Sequence, residues 1–221
     1  MNILFKDENL IAIEKPVGMP SQKDPTGDAD ALSETSAFLA SLGEKSELFL
    51  LHRLDRGVGG VLVFARNKRS AAAVSEIIAK REMEKTYLAV VRGECEGGTY
   101  RDLLYKDAAQ GKSFVARSMR KGVKEAELFA EPIEITEASG KKMSLMRVLL
   151  KTGRHHQIRV QFSSRSYPLI GDKKYGDTDV NTRAPSLFAT SVSFKIGKRE
   201  YAFSAKPDIN SYPWCLFESL K

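Results

Sequence analysis

The chain has 221 residues, enough for one large domain or two small ones, and its 42% hydrophobic content supplies a sizeable core. Its 35 Lys and Arg against 28 Asp and Glu leave a formal charge of +7, which fits a polyanionic partner without requiring one. No apolar run approaches the roughly 18 residues of a membrane-spanning helix, the first residues lack a signal-peptide pattern, and Cys95 and Cys215 match no metal or redox spacing. These features argue against a membrane protein or a disulfide-stapled secreted one and lead us to expect a cytoplasmic protein with free thiols.

In chain order, Ile3 to Phe5 and Leu10 to Ile13 read as a hairpin of short strands. Lys15, Pro16, Val17 and Gly18 suit a type I turn, with Pro second and Gly fourth. Asp24 to Asp30 is loop chemistry, punctuated by Pro25 and Gly27 and solvated by its acids. Ala31 to Leu42 reads as a helix closed by Gly43. Val61 to Ala65 is a buried strand. Lys68 to Arg81 is a helix with Ala71, Val74, Ile77 and Ile78 on one face.

From Glu84 to Val91 the pattern alternates, Tyr87, Ala89 and Val91 facing one side and Thr86, Leu88 and Val90 the other. Several short β segments follow between Thr99 and Ile135, then a strand from Met143 to Leu150. Arg154 to Ser164 reads as a helix, and Ser186 to Ile196 and Glu200 to Ser204 as closing strands. No repeat, linker or low-complexity tract interrupts the chain. Many strands with few helices predict an α+β fold, a single domain over residues 1–221 on a mixed, largely antiparallel sheet.

The most informative segment is His52, Arg53, Leu54, Asp55 and Arg56, followed by Gly57, Gly59, Gly60 and the apolar run from Val61 to Phe64. An acid between two arginines reads, on spacing alone, either as a surface ion pair beside a turn or as a carboxylate presented by the scaffold to a phosphate-bearing substrate.

That wording resembles the signature of the RluA-type pseudouridine synthases. Three further segments resemble the same family in the same order: Leu10 to Met19 with its Lys15-Pro16-Val17-Gly18, Lys85 to Gly93, and Thr152 to Val160 with Pro168 to Asp172 and Tyr175-Gly176 beyond. The resemblance implies the pseudouridine synthase fold with a central RNA-binding cleft. It implies isomerisation of uridine in structured RNA, ribosomal or transfer, with no cofactor. Many relatives carry an S4-type RNA-binding domain ahead of the catalytic one. Here the first motif begins by about residue 10, so no separate N-terminal RNA-binding domain is expected, and a monomer is expected.

By the same resemblance Asp55 is the nucleophile, Tyr87 the acid/base and stacking partner, and Arg154 the cation that pairs with the acid. Arg53 would fill the space that a flipped uridine leaves in its stem. Ile158 is an apolar wall of the pocket, and His52 and Arg159 are expected to contact substrate. By pattern alone Tyr87 would be a strand aromatic packed in the core, and His52 would brace its turn.

No phosphate-binding glycine loop or dinucleotide fingerprint occurs. No metal is expected: His155 and His156, adjacent on the expected helix, would point about 100° apart and lack the spacing of helical zinc ligands. Clusters of Lys and Arg (Arg66, Lys68 and Arg69; Arg117, Arg120, Lys121 and Lys124; Lys173 and Lys174) would supply salt-sensitive phosphate contacts if they line one cleft. Two departures from the family pattern stand out. Val58 and Gly59 replace a Thr-Ser pair that could brace the turn, and His155 replaces a Thr. A non-catalytic RNA-binding or RNA-folding factor on the same fold is the alternative. A carboxylate hydrolase on another fold would need a second acid opposite Asp55.

Overall fold

The structure, a computed structural model, describes residues 2–182 and 184–221. In chain order its elements are β1 (Asn2–Lys6), β2 (Leu10–Lys15), α1 (Ala31–Ser41), β3 (Phe49–Leu50), β4 (Gly59–Ala65), α2 (Lys68–Ala79), β5 (Glu84–Arg92), β6 (Gly98–Asp107), β7 (Lys112–Ala116), β8 (Val123–Ala138), β9 (Lys141–Leu150), α3 (Gln157–Ser163), β10 (Leu187–Ile196) and β11 (Arg199–Ser204), with short 3-10 turns in the last fifty residues. They form two compact units: residues up to Lys85 with Ala189–Pro207, and Thr86–Phe188 with Asp208–Lys221. The α+β class follows from this element list.

In the first unit β1 and β2 pair antiparallel, and their turn closes because Asp7 Oδ1 accepts from the backbone N–H of Asn9 and Leu10. The strands run β1-β2-β4-β10, with β3 on β4 and β11 on β10. All seven residues of β4 are buried, so it reads as an unbroken apolar run rather than an alternation. Leu10, Val61, Val63, Val74, Phe194 and Phe203 share one core, where the apolar face of α2 meets residues of four strands, β2, β4, β10 and β11.

Both long helices are capped by their own sequence. Asp30 accepts from Ser33 N and Asn67 from Ser70 N. The second helix stops at Ala79 rather than Arg81, because Arg81 itself takes the left-handed conformation (φ 62°) and Glu82 N donates to Ile77 O.

The second unit is an antiparallel sheet in the order β5-β9-β8-β6-β7. The several short segments expected after Thr99 are three strands, one of them 16 residues long. Its register against β9 shifts between Pro132 and Glu134. A bulge is where a strand tolerates a proline, which cannot donate to the ladder. Leu104, Ala126, Val160 and Tyr175 pack together where α3 meets this sheet.

Two local expectations are corrected, and one element has no expectation behind it. The turn after β2 centres on Val17 and Gly18, and Gly18 takes φ 92°, so it is not the type I turn with Gly18 at its end. The two-residue β3 had no sequence signal. The third helix begins at Gln157, not Arg154, because His156 is left-handed (φ 54°) and breaks the helical path.

Candidate active site

Asp55 lies on an irregular segment between β3 and β4, half-buried, while its neighbour Leu54 is buried. The segment is held from the first thirty residues of the chain. Ser21 Oγ donates to Leu54 O (2.8 Å) and accepts from Leu54 N (3.0 Å), so one buried hydroxyl satisfies both backbone groups of the preceding residue. Gly18 N donates to Arg56 O (2.8 Å), and Val58 N closes a turn onto Asp55 O (3.0 Å). The bracing that the missing Thr-Ser pair would supply therefore comes from Ser21 and from the turn after β2.

Lys15 completes this support. Its side chain is fully buried, and Nζ donates to the carbonyls of Pro16 (2.9 Å), Met19 (2.6 Å) and Arg56 (3.4 Å). Burial lowers its pKa from 10.5 to about 8; the Asp55 carboxylate opposes that shift and Arg56 adds to it. Asp55 thus has a buried cation within electrostatic reach in its own unit, besides the two arginines beside it in sequence. The sequence places Lys15 in a turn and assigns it no role, since a lysine before a proline is ordinarily solvated.

Arg53 is exposed. Arg56 turns its guanidinium to the loop after Met19, with Nη1 on Asp28 (2.6 Å) and Nη2 on both oxygens of Asp24 (3.2 and 3.1 Å) and on Thr26 Oγ1. His52 Nε2 accepts from Val63 N (3.2 Å), and burial, helped by Lys85, lowers its pKa to about 3, so the ring is neutral and clasps β4. Gly60 is obligatory for steric reasons. Its φ is 116°, and a Cβ there would lie 2.2 Å from Ala189 O and 2.7 Å from Ala189 N.

Tyr87, Arg154, Ile158 and Arg159 belong to the second unit. Tyr87 sits in β5 opposite Val148 of β9 and is 6% exposed. Arg154 lies in the turn before α3. Its backbone N–H donates to Gln157 Oε1 (3.0 Å), and its Nε donates to Glu125 O (2.8 Å), which fixes the plane of the guanidinium. Gln157 is the organiser of this turn: Oε1 also accepts from Thr152 Oγ1 (2.8 Å), and Nε2 donates to Glu127 O (3.0 Å). The sequence assigns it no role: as the first residue of α3 and five residues after Thr152, it does not have capping-box spacing.

Ile158 is buried on α3. Arg159 forms a two-pronged pair with Asp172, Nε to Oδ2 at 2.6 Å and Nη2 to Oδ1 at 2.8 Å, with both side chains buried.

The two histidines before α3 are not on a helix, so the geometric argument about helical ligands does not apply to them. Their rings stack at 3.8 Å. Ser113 Oγ donates its one proton to His155 O (2.7 Å), so His155 Nδ1, 2.9 Å away, donates back to that oxygen. Tyr175 OH accepts from Ser113 N (2.7 Å) and directs its proton to His156 Nδ1 (3.0 Å). Burial and the nearby Arg159 lower the His156 pKa to about 2, in keeping with that neutral tautomer. The unusual His155 is thus tied to β7. Among the described residues no group of three or more His, Cys, Asp or Glu could hold a metal ion, and no helix is long and apolar enough to cross a membrane.

The family model described as RNA pseudouridylate synthase matches residues 9–164, which span Lys15, Asp55, Tyr87 and Arg154. A relative from Haemophilus ducreyi, tRNA pseudouridine synthase C, is 34% identical over 190 residues, 83% of this chain and 77% of its own. The dual-specificity RNA pseudouridine synthase RluA of Vibrio vulnificus is 29% identical over 96% of this chain and 84% of its own. Among solved structures, human RNA pseudouridylate synthase domain containing 1 shares the fold with a TM-score of 0.79 at 20% identity, covering 94% of this chain and 83% of its own. With its four motifs in family order and a family match over most of its length, the chain belongs to the RluA-type RNA pseudouridine synthases, enzymes that isomerise uridine in RNA.

Proposed function

We propose that this synthase acts on transfer RNA or ribosomal RNA in the cytoplasm, with Asp55 as the nucleophile. Asp55 supplies the carboxylate of the reaction, Tyr87 the phenol that stacks on uracil and moves a proton, and Arg154 the cation. Uridine within a stem must leave the stack to meet a carboxylate, and Arg53 is the side chain that takes its place. His52 and Arg159 act by holding backbone and core in place, and Ile158 contributes apolar lining. Transfer RNA is the first substrate class to try, because several relatives carry the name tRNA pseudouridine synthase C.

The observation that carries this reading is the support of the Asp55 turn. A buried lysine donating to three backbone carbonyls and a buried serine bracketing Leu54 hold in place the short segment that carries the Asp55 carboxylate. Exposed Arg117, Arg120, Lys121 and Lys124 on one stretch of the second unit favour a polyanionic substrate.

The test is carbodiimide-based mapping of pseudouridine in total RNA from cells with and without the gene, complemented by wild type or by Asp55→Ala. Sites lost on deletion and restored by wild type alone support the nucleophile and name the substrate. Restoration by Asp55→Ala would overturn the assignment of Asp55.

A further inference from the structure

The residue after the catalytic acid is already occupied. Arg56 has its backbone carbonyl fixed by Gly18 N and Lys15 Nζ, so its side chain starts from a rigid point one residue from Asp55. From there the guanidinium reaches the loop of Asp24, Thr26 and Asp28, meeting two carboxylates and a hydroxyl. The loop is preformed for this grip: Asp24 Oδ1 also accepts from Thr26 N (3.0 Å), the pattern of an Asx turn.

Two carboxylates and a hydroxyl around a guanidinium present oxygens much as a phosphodiester backbone would. We propose that Arg56 is a phosphate-binding site for the RNA substrate, and that the loop from Asp24 to Asp28 occupies it in the free protein as an intramolecular stand-in that the RNA displaces. This rests on the RNA-modifying reading above.

Charge decides the direction. In the closed arrangement one cation carries two anions, so the latch itself presents a net negative charge to a polyanion. Opening exposes the arginine and moves both acids away. RNA therefore binds the open form better, and a ligand shifts an equilibrium by its differential affinity for the two states. The latch is weak enough to open: the side chains of Arg56, Asp24 and Asp28 are 38%, 32% and 59% exposed, and pairs so exposed contribute little and are screened by salt. Its effect is discrimination. An RNA held by other contacts can displace the loop, whereas an arbitrary polyanion meets acids first.

The experiment measures binding of unmodified transfer RNA transcripts, by fluorescence anisotropy across a salt series, to wild type, Asp24→Asn/Asp28→Asn, Arg56→Gln, and the triple variant. Asparagine keeps the Oδ1 acceptor that shapes the loop. A charge-matched control, Glu8→Gln/Glu96→Gln, alters two exposed acids elsewhere. The expected result is several-fold tighter binding by the Asp24→Asn/Asp28→Asn variant than by the control, with a salt slope steeper by about one phosphate contact, ~0.7 to 0.9 in log–log terms. That gain disappears in the triple variant.

A gain no larger than the control's, or one that survives Arg56→Gln, would overturn the latch. Pseudouridine formation by wild type on the same transcripts is measured alongside. Turnover by wild type without the Arg56-dependent gain sinks the latch alone, whereas absence of both binding and turnover sinks the transfer RNA reading and the latch with it.

Discussion

Ser21 Oγ lies 2.8 Å from the carbonyl oxygen of Leu54 and 3.0 Å from its amide nitrogen, donating to one and accepting from the other. One side chain thus replaces both strand-type bonds that Leu54, immediately before Asp55, would otherwise need. Ser21→Ala leaves two buried backbone groups unsatisfied, a loss of about 1–3 kcal/mol. Chemical denaturation should report that loss, and kcat for pseudouridine formation should fall with little change in KM, because the turn is mispositioned rather than the RNA surface altered. Unchanged stability and kcat would remove Ser21 from the support of the turn.

Lys15 gives a pH signature. Its folded pKa, about 8, lies below its ordinary 10.5, so between these values the unfolded chain binds more protons than the folded one. Stability therefore rises with pH across that window, by at most about 1.4 kcal/mol per pH unit. Below pH 8 the folded protein carries the full desolvation cost of a charged Lys15. Urea midpoints of wild type and Lys15→Met, compared from pH 7 to 10.5, should diverge in favour of wild type as pH rises. Parallel curves would count against the buried-lysine account.

The acid side has the opposite end. His52 is held neutral with a pKa near 3 against an ordinary 6.5. The unfolded chain again binds more protons between those values, so stability is lost as pH falls from about 6.5 toward 3. His52→Leu removes the Val63 bond and lowers stability at pH 7, yet the variant's decline from pH 6.5 to 4.5 should be shallower than that of wild type. An equal or steeper decline would mean that His52 is not the neutral brace described.

Gly60→Ala should be among the most damaging small substitutions in the chain. The added methyl would meet the Ala189 backbone at 2.2 Å, at a φ of 116° that L side chains rarely adopt. A loss of about 3 kcal/mol or more is expected, seen as a lowered melting temperature or failure to accumulate folded protein. A melting temperature within a degree or two of wild type would contradict the close approach.

Arg159 and Asp172 separate a brace from a substrate contact. Arg159→Ala strands a buried carboxylate and should cost about 3–5 kcal/mol. RNA affinity, measured below the variant's melting transition, should stay close to wild type. Lost affinity with intact stability would return Arg159 to the substrate-contacting set.

The fold was legible wherever periodicity or capping is local. The fully apolar run of β4, the alternation through Tyr87 and the Asn67 cap each follow from a few neighbouring residues. The start of α3 was not, because nothing in the residue type of His156 announces a left-handed backbone. The site was legible as motifs but not as a supported geometry. Lys15 reads as a solvated turn lysine until three carbonyls are found around it, and the need for Gly60 is set by Ala189, far away in sequence. The substrate-binding expectations for His52 and Arg159 came from motif membership, which does not distinguish a side chain facing RNA from one buried beneath it.

The bonds that shape the Asp55 turn span 33 residues from Ser21 and 41 from Lys15. The turn therefore has little local scaffold of its own, and loops of that length must close before it exists. In refolding, activity should return after the β1–β2 hairpin has ordered, and under mild denaturant the segment that follows β2, through Ser21, should need only to detach for turnover to cease. With Asp55 as the proposed nucleophile, catalytic competence should report one long-range closure and be lost in a partial opening that leaves most of the secondary structure in place.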